Sequence, residues 1–289
     1  MNADPFVSHR RLLFTVAYEM LGSAADAEDV VQEAWLRWAD VDQAEVRDAR
    51  AYLVRTVTRQ ALNRLRTLER RRAEYVGEWL PEPLLTSPDV AEDVELAESV
   101  SIAMLTVLET LAPAERAVFV LREVFDTPYD EIAEAVDKSP AAVRQIAHRA
   151  RDHVAARRPR MDVDRAEQRV AVERFQVAMQ TGDVQGLLDV LAPDVVLRAD
   201  GGGVVPAARH PIEGADSVAR LLGRFAEIAP GTRIDTVWLN GSPAVLVDPD
   251  GEINTAVSLA IEGGRITAIY AVRNPHKLTR LDAEAELAR

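Results

Sequence analysis

The stretch from Thr127 to Arg151 restricts the fold more than any other part of this chain. Tyr129, Ile132, Ala133 and Val136 recur at i, i+3, i+4 and i+7, the spacing of one buried helix face. Asp137-Lys-Ser-Pro140 breaks that rhythm, with Ser139 placed to cap a new helix and Pro140 at its first position. Val143, Ile146, Ala147, Ala150 and Val154 then mark the buried side of the second helix. Its other side carries Arg144, Gln145, His148, Arg149 and Arg151, residue types suited to phosphates and base edges. The pattern predicts a helix-turn-helix, although any helical hairpin with a short polar break reads the same way.

A nucleic-acid reading must contend with a net charge of −13 over 289 residues. Neither half is basic, so counterion release alone would not hold the free chain on DNA. The arginines would have to be clustered, or a larger partner would have to hold the chain there. Of the 34 basic residues only Lys138 and Lys277 are lysines, a bias that GC-rich coding produces unaided. Chains of this length are expected to form two or three domains, each with its own core. No run approaches the ~18 apolar residues of a membrane span, and Met1-Asn-Ala-Asp-Pro-Phe6 lacks a signal peptide's charged and apolar regions. With no cysteine, disulfides and thiolate metal sites are excluded, and a cytoplasmic location is expected.

Residues 6–71 read as helical. A first helix buries Leu12, Leu13, Val16, Ala17, Met20 and Leu21; a second, opened by Ser23 and Asp26 as in a capping box, buries Ala27, Val30, Val31, Ala34, Trp35 and Trp38. A third buries Leu53, Val54, Val57, Ala61, Leu65 and Leu68. From 72 to about 97 the periodicity stops. Three prolines and the acidic run Glu92–Glu98 mark a linker, yet Trp79, Leu80, Leu84 and Leu85 are too apolar for a solvated tether and predict docking. Helices resume at about 98 and end near 157. After the basic stretch Arg157-Arg-Pro-Arg160 the pattern changes class: helices at 165–181, 183–191 and 215–228 with strands near 195–199, 234–239, 244–247, 253–261 and 265–272. That is an α+β pattern, with helices against a curved, mostly antiparallel sheet.

Arg55, Arg59, Asn63, Arg66 and Arg70 follow at helical intervals and form one stripe, with Arg64, Arg71 and Arg72 beside it. Glu69 is the sole acid between residues 49 and 73, so this is no ordinary mixed-charge surface. Contact with nucleic-acid backbone is expected, with Asn63 placed to read a base. The second helix presents the opposite sign on Asp26, Glu28, Asp29, Gln32 and Glu33. Acids near a helix N-terminus are favoured by the macrodipole, which accounts for the first three; Gln32 and Glu33 suit a basic protein partner instead.

Three segments carry a family resemblance. Asp26-Ala-Glu-Asp-Val-Val-Gln-Glu-Ala-Trp-Leu-Arg-Trp38 resembles the core-polymerase-binding helix of bacterial sigma factors, and Arg50 to Arg66 resembles their promoter-melting helix. Leu111 to Glu123 together with the helix-turn-helix resembles their fourth conserved domain. With only these two domains, over residues 6–157, the similarity is to the extracytoplasmic-function class. Trp79-Leu-Pro-Glu-Pro83, Asp200-Gly-Gly-Gly203 and Asn274-Pro-His-Lys-Leu278 are similar to signatures of a subgroup with a C-terminal SnoaL-like extension of the NTF2-like fold. His276 stands where that signature has an acid.

The resemblance implies two all-α domains, a sigma-2 helical bundle (1–72) and a sigma-4 helix-turn-helix domain (98–158), joined by a linker (73–97) and followed by an α+β NTF2-like cone (163–289). Asp26, Glu28, Asp29, Gln32 and Glu33 would dock on the beta-prime clamp of core RNA polymerase, and sigma-4 would meet its beta flap. Arg55, Arg59, Asn63, Arg64 and Arg66 would contact the −10 element of promoter DNA. Ser139, Ala141, Arg144, Gln145, His148, Arg149 and Arg151 would contact the −35 element. Trp79, Leu80, Pro81, Glu82 and Pro83, Asp200, Gly201, Gly202 and Gly203, and Asn274, Pro275 and Lys277 would form regulatory contacts. The extension would then regulate in cis, with no obligatory separate anti-sigma factor.

Two rival readings stay open from the residues alone. Asp200 and His210 could form an acid–base pair in a SnoaL-like isomerase or cyclase fused to a DNA-binding region, although three glycines make Asp200 a turn residue first. A ligand-responsive repressor is the other, with a small molecule in the C-terminal domain. The acidic second helix speaks against the repressor, which has no use for a polymerase-docking face, and a dry, carboxylate-lined pocket would favour the enzyme. The sigma-factor resemblance implies no catalytic residue and no enzyme activity. The five histidines lack metal-ligand spacing, so neither metal nor cofactor is expected. Trp238 and Tyr270 read as core.

Overall fold

The computed structural model describes residues 4–158, 164–228, 230–248 and 254–289, without the side chains at 69–71 and 73. Arg70, Arg71, Arg160 and Ile253 of the sequence reading lie outside the described residues or side chains. By Cα proximity the chain forms two units. One comprises Met1–Ala73, Leu105–Arg158 and Glu286–Arg289; the other comprises Glu74–Met104 and Pro159–Ala285. No helix among the described residues is long and apolar enough to cross a membrane.

The first unit is helical. α1 (Pro5–Leu21) starts at Asp4, whose carboxylate accepts from Phe6 N (2.8 Å) and from the buried Trp38 indole (3.1 Å). α2 (Ala24–Ala39) starts at Ser23, which caps Asp26 N at 3.2 Å as its spacing predicts. Trp35, expected in the core, is instead 39% exposed, tilted against Phe6 at 5.0 Å. Trp38, one turn on, fills the core position alone. α3 (Ala49–Ala73) buries Leu53, Val54, Val57, Ala61, Leu62 and Leu65 as one stripe.

α4 (Val94–Ser99) is a short helix where the acidic run Glu92–Glu98 had read as linker. Asp93 starts it by accepting from Leu96 N at 3.0 Å, a cap hidden among like residues. α5 (Ile102–Leu108) and α6 (Pro113–Phe119) precede the helix-turn-helix, α7 (Tyr129–Val136) and α8 (Pro140–Ala155). Asp137 turns the chain at φ 54°, and Ser139 caps Ala142 N at 3.2 Å. Val143, Ile146, Ala147, Ala150 and Val154 are all buried, as the pattern requires.

The second unit is α+β. α9 (Arg165–Thr181), α10 (Val184–Val190), α11 (Ala215–Gly223) and α12 (Phe225–Ile228) accompany strands β1 (Leu191–Asp200), β2 (Ile212–Glu213), β3 (Arg233–Leu239), β4 (Ser242–Asp248), β5 (Thr255–Glu262) and β6 (Arg265–Val272). The sheet order is β2-β1-β6-β5-β4-β3, antiparallel except for the β1/β6 pair. The single helix expected at 215–228 breaks at Arg224, and the two-residue β2 is too short for an alternating pattern to reveal.

Alternation along these strands serves two covers. Val245, Val247, Val257, Leu259, Ile261 and Ile269 face Val172, Phe175 and Met179 of α9 and Leu187 of α10. Ala244, Leu246, Ala256, Ala260, Tyr270 and Val272 face Leu80 of the connecting segment, Ile102 and Ala103 of α5, and Leu278 and Leu281. The segment read as a docking linker is therefore the second covering layer of the sheet. Asn240 and Gly241 (φ 52° and 72°) form the tight β3–β4 turn. The Asn240 side chain reaches out of it to accept from Leu84 N (2.9 Å) and donate to Val100 O (2.8 Å).

Candidate nucleic-acid interface and linker-docking site

α3 does align its basic residues, but the structure gives several of them partners. Arg55 pairs with Glu134 of α7 at 2.5 Å, and Arg59 donates to the Glu134 backbone carbonyl at 2.7 Å. The first helix of the helix-turn-helix thus occupies the α3 stripe. Arg66 donates to Asn63 at 3.2 Å. Arg64 turns to the acidic helix, donating to Asp26 (2.7 Å) and Asp29 (2.8 Å). Burial works to lower the Arg64 pKa, but hydrogen bonding and charge from Asp26, then Asp29, outweigh it and hold it above its ordinary value.

The acidic face is accordingly smaller than the sequence suggested. Asp26 and Asp29 are taken by Arg64, and Glu28 pairs with Arg10 at 2.7 Å. Gln32 and Glu33 are exposed and unpartnered among the described residues, beside Trp35 and the 58% exposed Leu36. This mixed polar and apolar surface suits a protein partner better than a solvated carboxylate row does.

On α8, Ala141, Arg144, Gln145, His148, Arg149 and Arg151 are all exposed. His148 pairs with Asp152 (2.8 Å) and Arg151 with Glu123 (3.5 Å), while Arg149 reaches Glu115 only at 3.9 Å. Arg144 and Gln145 have no partner among the described residues and project from the first turns of the helix. Ser139 is committed to capping.

A buried ionic cluster joins the helices on the two sides of residues 74–104. Glu109, just after α5, receives both Arg72 of α3 and Arg116 of α6. Arg72 also donates to Leu21 O (2.9 Å) and Arg116 to Glu19 O (2.9 Å), at the end of α1. Burial lowers the Arg72 pKa, Glu109 opposes that, and the Arg116 charge adds to it.

The second unit holds the connecting segment through one carboxylate. Asp200 ends β1 fully buried and accepts from Tyr75 OH (2.6 Å), Leu80 N (2.9 Å), Gly202 N (2.9 Å) and Lys277 Nζ (2.7 Å). Lys277 also donates to Leu80 O (2.5 Å) and lies 3.9 Å from the centre of the Trp79 ring. Asn274 donates to Tyr75 OH (2.9 Å) and caps the turn Pro275–Lys277. Gly202 has φ 62°, and a Cβ there would lie 2.4 Å from the Asn274 amide nitrogen. Arg198 reinforces the grip on Glu78 at 2.6 Å, and Pro81, Glu82 and Pro83 are buried beyond it.

Burial, then the Asp200 hydrogen bond and charge, push the Tyr75 pKa well above its ordinary value. Gly201 is buried and Gly203 meets Val76. The three signatures singled out in the sequence therefore converge. Among the described residues His276 engages only through its backbone N–H, and it is exposed, so a histidine in place of the usual acid leaves the node intact.

The acid–base alternative fails on geometry: Asp200 is enclosed by its donors while His210 is exposed. Tyr270 is core, with burial pushing its pKa up to about 12 against an opposing Arg198, and Trp238 is half-buried. Sequence reasoning missed Tyr75, Glu109, Glu134 and Asn240. For Asn240 a signal existed, the Asn-Gly pair between apolar runs.

Known proteins resemble this chain in sequence and in fold. Residues 6–71 match the family model Sigma-70 region 2, and residues 101–154 match Sigma-70, region 4. The chain is 37% identical to ECF RNA polymerase sigma factor SigJ of Mycobacterium tuberculosis, over 96% of this chain and 94% of that one. It is 34% identical to the probable ECF sigma factor SigI of the same species, over the same shares. The crystal structure of M. tuberculosis SigJ superposes with TM-score 0.78 at 34% identity, covering 96% of this chain and 98% of that one.

Proposed function

The chain belongs to the extracytoplasmic-function RNA polymerase sigma factors, and from that premise we propose how its parts divide the work of transcription initiation. Residues 1–72 dock on the beta-prime clamp through α2 and meet the −10 element through α3. Residues 98–158 meet the beta flap and read the −35 element through α8. Residues 73–97 connect the two, and residues 163–289 regulate them in cis, without requiring a separate anti-sigma protein. No catalytic step is assigned: DNA opening would come from holding an unpaired base, not from chemical energy.

The observation that carries the regulatory reading is the grip of Asp200 and Lys277 on Leu80, inside the segment that connects the two DNA-reading parts. Promoter elements lie at a set spacing, so holding or releasing that segment changes which promoters both parts reach together. The Arg55–Glu134 pair supports a resting state in which α3 is covered. An exposed ion pair is worth only about 0–1 kcal/mol, so promoter phosphates can displace Glu134.

In vitro transcription with core polymerase on a promoter library tests the assignment. Glu33→Arg should cut affinity for core polymerase about tenfold or more, without the loss of the Arg64 pairs that a change at Asp29 would bring. Unchanged affinity would remove α2 from the docking surface. Arg144→Ala should lose most output at promoters differing in the −35 element, with about 1–3 kcal/mol of discrimination at one base pair. A uniform loss across the library would reduce Arg144 to a phosphate contact.

A further inference from the structure

Beside the Asp200 node lies a cleft of about 280 Å³, formed entirely within the α+β unit. One wall is the connecting segment, Val76 and Gly77; the other is the loop after β1, from Gly201 to Arg209. The loop is held at its start and at its middle. Arg273 N and Asn274 N donate to Asp200 O (2.7 and 2.9 Å), and the Arg273 guanidinium donates to Pro206 O at 2.6 Å. The space between the walls is therefore a standing feature of the fold.

Its lining has two characters. Val76, Val204, Val205, Pro206, Ala207 and Ala208 supply apolar surface, and Val204 is 58% exposed there. The one ionised side chain in the lining is Arg209, which is exposed and has no partner among the described residues. Its backbone runs against the connecting segment, 3.9 Å from where a Gly77 Cβ would be. An unpaired guanidinium at a cleft that mixes backbone polar groups with small apolar side chains presents a planar fork to a carboxylate and van der Waals contact to a compact group behind it. At about 280 Å³ the volume falls just below the usual range of ligand pockets, roughly 300–1,000 Å³, and so suits a small ligand.

We propose that this cleft binds a small monocarboxylate with an aromatic or branched apolar body, its carboxylate on Arg209 and its body between Val76 and Val204–Ala208. A ligand held by both walls fastens residues 76–77 to the loop, and so adds to the hold on the segment that Asp200 already grips. The site stands on the docked segment alone; its control of transcription rests on the function proposed above.

The test reads binding, not transcription, so the two ideas fail separately. The full chain, with methyl-labelled valines, is titrated with benzoate, cyclohexanecarboxylate and the neutral benzamide. Both carboxylates should shift the Val76, Val204 and Val205 methyl signals and slow amide exchange at Gly77 and Glu78. Benzamide should bind about tenfold more weakly, as should the carboxylates to Arg209→Gln, the loss of one charge-assisted contact. Silent valine methyls with both carboxylates would overturn the site. Equal affinity for benzamide, or for Arg209→Gln, would overturn the carboxylate assignment, and unchanged exchange at Gly77 would overturn the fastening of the segment.

Discussion

Asp200→Ala is expected to free residues 75–86 from the sheet and to cost about 3–5 kcal/mol of stability in the α+β unit, the usual penalty for orphaning a buried ionic partner. The carboxylate is wholly buried, and its loss takes the acceptor from Tyr75 OH and Leu80 N and the counter-charge from the Lys277 ammonium, whose side chain is only 12% exposed. Tyr75→Phe grades the effect. It removes one neutral donor and should cost about 1 kcal/mol. Thermal unfolding of both variants gives the ratio, and amide exchange at Leu80 tells whether the segment has left the sheet. If Asp200→Ala melts like Tyr75→Phe and Leu80 stays protected, apolar burial of Leu80 and Leu84 holds the segment and the node merely decorates it. If the segment is freed, transcription by this variant gives the sign of the control.

Glu109→Gln should act as strongly in the helical unit. Glu109 offers a charge to Arg72 and to Arg116, whose side chain is only 2% exposed, and glutamine would leave two guanidiniums facing each other. Arginine does not escape by deprotonation. The expected cost is again about 3–5 kcal/mol, with α3 parting from α5 and α6, which is read by the distance between spin labels on α3 and α8. A triple change, Arg72→Met with Glu109→Leu and Arg116→Met, separates stability from conformation. Replacing a buried ionic cluster by apolar side chains is often neutral or stabilising by about 1–4 kcal/mol. A triple variant that is stable and still closed would deny the cluster any special part in holding these helices together.

Much of the fold was legible because its signals are local. The i, i+3, i+4 rows of α1, α3, α7 and α8, the Ser23 and Ser139 caps and the alternation in β3–β6 each lie within a few residues. The Asp93 cap was as local but sat in an acidic run, where a charge pattern and a cap look alike. Trp35 misled because an apolar residue at a helix-surface position also fits a partner-facing site. The site divided along the same line. Exposed α8 side chains follow from helix geometry, whereas Tyr75–Asp200, Arg55–Glu134 and Leu84–Asn240 join residues 79 to 156 positions apart. Such pairings depend on how elements pack, and no spacing rule within one element encodes them. The signatures around Trp79, Asp200 and Asn274 marked residues that meet, but not that a single carboxylate is their meeting point.

The sheet's second cover has a consequence for how this protein can be cut and inherited. Leu246, Ala256, Tyr270 and Val272 are sealed by residues that precede them in the chain by more than a hundred positions, among them Leu80, Ile102 and Ala103. A gene fragment beginning after Arg158 would encode a sheet with one face stripped of Leu80, Ile102 and Ala103 and left with Leu278 and Leu281, and the complementary fragment would carry Trp79, Leu80 and Leu84 without the sheet that shelters them. Bare apolar surface of that kind drives association. The α+β unit is thus discontinuous in the gene. Recombination could move it to another sigma factor only by bringing the connecting segment with it, which ties the two inheritances together.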